Sequence, residues 1–165
     1  MLGLIIISFG ILSRLVVHTP NFTPVLSMAF LSGMYLKGPQ AVVVPLALMV
    51  ISDVIIGFYG SEMFFVWGSI VLISVLGFWL KERKSFINVL SGSIFSALFF
   101  FFVTNFGSWL VLYPHTVDGL RQCYILAIPF FRSTVLSTVA YSLVFYAAYE
   151  WVLKRSQGTV LARLV

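Results

Sequence analysis

The residues that could do chemistry in this chain gather in three stretches of otherwise apolar sequence: RLVVHTPNFTPV (Arg14 to Val25), SDVIIGFY (Ser52 to Tyr59) and TNFGSWLVLYPHTVDGLRQCYILAIPFFR (Thr104 to Arg132). The first carries Arg14, His18 and Asn21, and the second carries Asp53. The third is the densest, with Asn105, Trp109, Tyr113, His115, Asp118, Arg121, Gln122, Tyr124 and Arg132. Polar and ionisable groups in apolar surroundings cost free energy unless they pair with one another or meet a ligand, which makes all of them binding-site candidates. Arg132, just after Pro129 in IPFFR, is expected to present a planar guanidinium to a carboxylate or phosphate. Asp53 must pair, take up a proton or touch a ligand, and both an arginine of the same site and a ligand are open to it.

Arg14 and His18 share one face if the first helix persists that far, where the arginine could equally snorkel to an interface. Asn105 and Trp109 stand at the same spacing and would present an amide and an indole together, although helix–helix hydrogen bonding and interfacial anchoring would use the same geometry. Asp118 and Arg121 can pair in a solvated loop. Ser133, Thr134, Ser137, Thr138 and Tyr141 form a polar seam of the kind that packs between helices. There is no Ser/His/Asp arrangement, phosphate-binding glycine loop or carboxylate dyad, and His18, His115 and Cys123 lack metal-ligand spacing. No catalytic residue, metal or cofactor is expected, and the chain is not expected to be an enzyme.

The elements that must position these residues follow from composition. Of 165 residues, 61% are hydrophobic and 9% charged, with a mean hydropathy of +1.07, whereas a soluble domain carries about a quarter charged residues. An all-α integral membrane bundle of six transmembrane helices is expected, in a single domain covering 1–165. The spans fall at about 2–17, 25–36, 41–57, 64–80, 86–112 and 129–153. The prolines of HTPNFTP delay the second helix to Val25, Lys37-Gly-Pro-Gln40 reads as a tight turn, and Pro129 reads as an early residue of the sixth helix. Ala29 and Gly33 have the small-xxx-small spacing that lets helices approach. Trp67 and Trp79 are expected at the membrane interfaces, and Phe99 to Phe102 against lipid.

The net charge of +5 is not a nucleic-acid footprint. Lys37, Lys81, Arg83, Lys84, Lys154, Arg155 and Arg163 lie in the loops after spans two and four and in the tail. Both termini are therefore expected in the cytoplasm, and the polar site on the outer side. The start lacks a basic region and a small-residue cleavage site, so a cleaved signal peptide is not expected.

The same three stretches resemble signature blocks of a family of small bacterial six-span membrane proteins described as transport proteins. These are similar in architecture to the substrate-binding S components of energy-coupling-factor vitamin transporters. The resemblance implies a six-helix bundle in the bacterial inner membrane, with an outward-facing pocket for one small nutrient capped by the loop after the first helix and the loops near the fifth and sixth. It also implies docking on a transmembrane coupling subunit driven by ATPases, although the first helix offers only Gly3, Ser8 and Gly10 where S components carry a docking patch. The expected function is a substrate-capture subunit for an anionic or vitamin-like nutrient. Arg14 and Arg132 would bind its acidic part, with His18, Asn21 and Arg121 nearby. Asp53 and Asn105 would orient polar groups, and Trp109, Tyr113 and Tyr124 would stack on an apolar portion. A structural subunit of a cell-shape-type assembly and a standalone small transporter are the alternatives.

Overall fold

A computed structural model describes residues 2–16 and 20–156. Six helices account for almost all of them: α1 (Leu2–Val16), α2 (Val25–Tyr35), α3 (Gln40–Ile56), α4 (Met63–Leu80), α5 (Phe86–Leu112) and α6 (Val117–Ser156). The chain is an all-α bundle. Three helical segments, Met63–Leu80, Phe86–Leu112 and Val117–Arg155, are long and apolar enough to cross a membrane, while α1, α2 and α3 are apolar but shorter. The exterior is apolar too, with Trp79, Ile87, Leu136 and Val144 all well exposed. An outer surface of that kind associates with lipid rather than water.

α2 is the hub. It contacts all five other helices, and every residue from Val25 to Met34 is buried. Around it the others form an arc in which α1 packs on α3, α3 on α4, α4 on α5 and α5 on α6. The ends of the arc meet edge to face through Phe9 and Phe145, with ring centroids 6.0 Å apart. Small residues set the closest approaches. A side chain at Gly33 would run into the α4 backbone at Ser74 and Phe78, and Gly77 of α4 faces the Phe30 carbonyl in return. Phe30, itself fully buried, fills the space that Gly92 of α5 leaves open.

Because the helices alternate in direction, the loops after α2 and α4 and the end of α6 share one end of the bundle. That end is basic and tied together: the Tyr35 hydroxyl donates to Glu150 Oε1 at 2.8 Å, and Lys84 lies over the Tyr35 ring. The other end holds the C-termini of α1, α3 and α5 and the N-termini of α2, α4 and α6.

The sixth helix differs from expectation. It starts at Val117, and Pro129 lies in its interior. The start is capped locally: the Thr116 hydroxyl accepts the Gly119 N–H at 3.1 Å, and Asp118 sits in the first turn, where a negative charge suits the helix dipole. Asp118, Arg121, Gln122 and Tyr124 are therefore helical rather than loop residues.

Candidate functional site

A cavity of about 400 Å³ opens at the end of the bundle opposite the basic loops. It exists because α2, with 11 residues, is much shorter than α5 and α6, so the space beyond its first turn is enclosed only by the taller helices around it. The segment before α2 lies across it, with Asn21 and Thr23 in the wall. Asn21 adopts a left-handed conformation (φ 59°), which asparagine tolerates, and its carbonyl accepts the Ser137 hydroxyl at 3.2 Å, tethering the segment to α6.

Each helix contributes one stripe. From α5 come Phe100, Phe101, Thr104, Asn105 and Ser108, and from α6 come Ala127, Phe130, Phe131, Thr134, Ser137 and Thr138. Both sets follow the spacing of a single helical face. Met49, Tyr59, Val66 and Ile70 close the side formed by α3, α4 and the turn between them. The wall is thus divided between four phenylalanine rings and a set of amides and hydroxyls.

The charged element is built on α1 and α3. Arg14 lines the cavity with its side chain 17% exposed, and its Nη1 lies 2.7 Å from Oδ1 of Asp53, which is completely buried. The other carboxylate oxygen accepts the Trp67 indole N–H at 2.7 Å. Ser52 donates its hydroxyl to the Leu48 carbonyl one turn back, leaving its oxygen free to accept from Arg14 Nη1. Arg14 therefore spends one nitrogen on α3, and its Nε and Nη2 have no partner among the described residues. Tyr59 stands nearby in the α3–α4 turn. Desolvation at the rim, with a smaller contribution from the Asp53 charge and opposed by Arg14, pushes its phenol up to about 12, so at neutral pH it is a hydrogen-bond donor.

Trp67→Phe tests this construction. It removes the indole donor while Asp53 keeps Arg14, and a buried carboxylate losing one hydrogen bond should cost about 1–3 kcal/mol in denaturant unfolding of the detergent-solubilised protein. A stability equal to wild type would show that the indole contact carries no weight.

The sequence candidates separate on this geometry. Arg14, Asn21 and Asn105 line the cavity, and Asp53 lies directly behind Arg14. His18 lies outside the described residues. Arg132 and Arg121 are exposed on α6 and do not line the cavity. The reason is helical phase: Arg132 follows Phe131 by one position and so points about 100° away from it. Trp109 donates its indole N–H to the Pro114 carbonyl at 3.0 Å, and Tyr124 donates its hydroxyl to the Phe102 carbonyl at 2.7 Å. Both hold the α5–α6 hairpin together rather than line the cavity, and Tyr113 is the C-cap of α5. Asp118 and Arg121 form no ion pair with each other.

Two further expectations are corrected. Trp67 turns inward to Asp53 instead of anchoring at an interface, and Phe100 and Phe101 face the cavity while Phe102 faces outward. The cavity residues that chemistry alone did not single out were Thr23, Tyr59, Thr104 and Ser108. Their signal was position within the polar stretches, not residue type.

The chain belongs to the family of unknown function DUF6580, whose model matches residues 1–161. No curated protein and no solved structure matches it.

Proposed function

We propose that this member of the DUF6580 family is a membrane-embedded capture subunit that binds one small nutrient in the cavity beyond α2. The observation that carries the reading is the cavity itself. Its volume of about 400 Å³ lies in the range of small-molecule sites, roughly 300–1,000 Å³, and its wall combines apolar rings with polar groups fixed on helices. The unshared donors of Arg14 suit an acidic or carbonyl group, and the phenylalanines of α5 and α6 suit an apolar or aromatic portion. The resemblance of the three polar stretches to S-component-like transport proteins supports the same reading, since all three contribute to the cavity or to the pair behind it.

On this reading all six helices span the bacterial inner membrane, α1 to α3 inside the shelter of the bundle. The basic end, with Lys37, Lys81, Arg83, Lys84, Lys154 and Arg155, lies in the cytoplasm with both termini, and the cavity faces outward. The protein binds without chemistry of its own, and transport energy comes from a transmembrane coupling subunit with ATPases. A purely structural subunit would have no use for an open cavity beside its ion pair.

Mass spectrometry of small molecules released from the purified, detergent-solubilised protein tests the reading. Wild type and Arg132→Ala should retain the same metabolite, and Ala127→Phe, which fills the cavity from α6, should lose it. A folded wild type that retains nothing would count against capture. Retention lost in Arg132→Ala and kept in Ala127→Phe would move the site out of the cavity.

A further inference from the structure

We infer that the cavity receives a monoanionic carboxylate, seated on the uncapped N-terminus of α2 with the Thr138 hydroxyl as its side-chain partner. This rests on the capture reading above and gives it a ligand class.

The first observation is a helix end that nothing among the described residues satisfies. Pro24 occupies the N-cap position, and no side chain among the described residues caps the helix. The earliest backbone bond is from Met28 N–H to the Pro24 carbonyl at 2.8 Å, and the N–H groups of Val25, Leu26 and Ser27 have no acceptor among the described residues. Most helix ends of this kind are left to water, but here Val25 and Leu26 are 6% exposed and Ser27 is fully buried. Bare donors in such a place need a partner, and the helix dipole adds a partial positive charge of about one half.

The second observation is independent of the helix. Thr138 of α6 is completely buried, lines the same cavity as Val25 and Leu26, and its Oγ1 has no hydrogen-bond partner among the described residues. It stands beside the first turn of α2, because the Ser27 hydroxyl donates to the Thr138 backbone carbonyl at 2.8 Å. The first turn of α2 and this hydroxyl thus belong to the same wall of the cavity. The backbone N–H groups and the hydroxyl can all donate, and an oxyanion accepts from all of them.

Charge selects among oxyanions. Among the described residues lining the cavity, Arg14 is the one ionised side chain, and Asp53 already balances it. A helix end with half a positive charge compensates one negative charge far better than two, which favours a carboxylate over a phosphate monoester. The phenylalanine wall leaves an apolar body for the rest of the molecule.

The test uses benzoate, 3-phenylpropanoate and indole-3-acetate, each beside its primary amide, with phenyl phosphate as a dianion. Each is titrated at millimolar concentration against thermal unfolding of the full chain in detergent. At least one acid should raise Tm clearly more than its amide. Thr138→Val keeps the shape of the side chain and should weaken that acid about tenfold, the effect of losing one hydrogen bond to a charged group, while leaving the amide response alone. Ala127→Phe, which fills the same cavity from α6, should abolish the preference for acid over amide.

Equal responses to acids and amides, or no response to any probe, would overturn the carboxylate subsite, since water alone would then satisfy these donors. A preference for acid that survives both variants would overturn its location. Phenyl phosphate acting more strongly than every acid would overturn the monoanion assignment. The capture function is judged separately: a retained metabolite without a carboxylate would leave capture standing and remove this inference.

Discussion

Arg14→Gln is expected to destabilise the bundle by about 3–5 kcal/mol, the cost of leaving a buried carboxylate without its counter-charge. Asp53 is completely buried and held between Arg14 Nη1 on one oxygen and the Trp67 indole on the other. Glutamine can still offer an amide hydrogen but no charge, and the carboxylate remains where water does not reach it. Asp53→Asn alone should cost less, because Arg14 lines the cavity and its guanidinium can turn to solvent there. The double variant Arg14→Gln, Asp53→Asn should recover most of the loss, since an amide pair needs no compensating charge. Denaturant unfolding in detergent for the four proteins of this cycle measures the coupling directly. An Arg14→Gln protein within about 1 kcal/mol of wild type would mean that the pair is weakly held and belongs to solvent, as surface pairs do.

Gly33→Ala is expected to cost about 3 kcal/mol, at the upper end of the usual range for overpacking. The added methyl would overlap the Ser74 carbonyl and lie 2.7 Å from the Phe78 nitrogen and 2.9 Å from the Gly77 Cα, and all of these are backbone atoms of α4. A flexible side chain could move aside, but a helix backbone cannot, so α2 and α4 must separate. The effect does not depend on water being the surrounding solvent, because helix association in lipid rests on close packing. Gly77→Ala meets the Phe30 carbonyl from the other side and should cost a similar amount. The two together should cost less than their sum, because the first has already opened the gap. Gly68→Ala, in the same α4 with nothing within 4 Å of its added methyl, should instead be neutral or stabilising by up to about 1 kcal/mol from helix propensity. If thermal unfolding ranks Gly33→Ala with Gly68→Ala, the α2–α4 contact is looser than described.

Much of the helical layout was legible because it rests on local chemistry. The prolines before Val25, the Lys37-Gly-Pro turn and the charged Lys81 to Lys84 loop mark boundaries that α2, α3, α4 and α5 match to within a residue or two. The start of α6 was missed, because Pro129 reads as a helix start and the actual signal lies upstream. Thr116 followed by Asp118 is an N-cap with an acidic first turn, and it outweighs Pro129, which a long helix can hold in its interior.

The candidate site was legible only in part, for a reason that Arg14 and Arg132 make plain. Both are arginines set in apolar helices, and by type and surroundings they are equivalent. What separates them is rotation: Phe131 and Thr134 fix which face of α6 turns inward, and Arg132 lies off that face, while Arg14 turns toward α3 and finds Asp53 there. The same holds for Trp67, whose indole reads as an interfacial anchor until α3 brings a carboxylate to it.

Sequence alone therefore determined an all-helical apolar chain, its turns, the segregation of basic loops to one end and the three polar stretches, because each depends on residues close together in the chain. Tertiary structure decided which polar groups meet, that a short α2 leaves a cavity beyond its first turn, and that the Thr138 hydroxyl, unpaired among the described residues, stands beside that turn. Those outcomes depend on the relative rotation and height of helices far apart in sequence, set by contacts such as Gly33 on Gly77, whose partner the Ala29/Gly33 spacing does not specify.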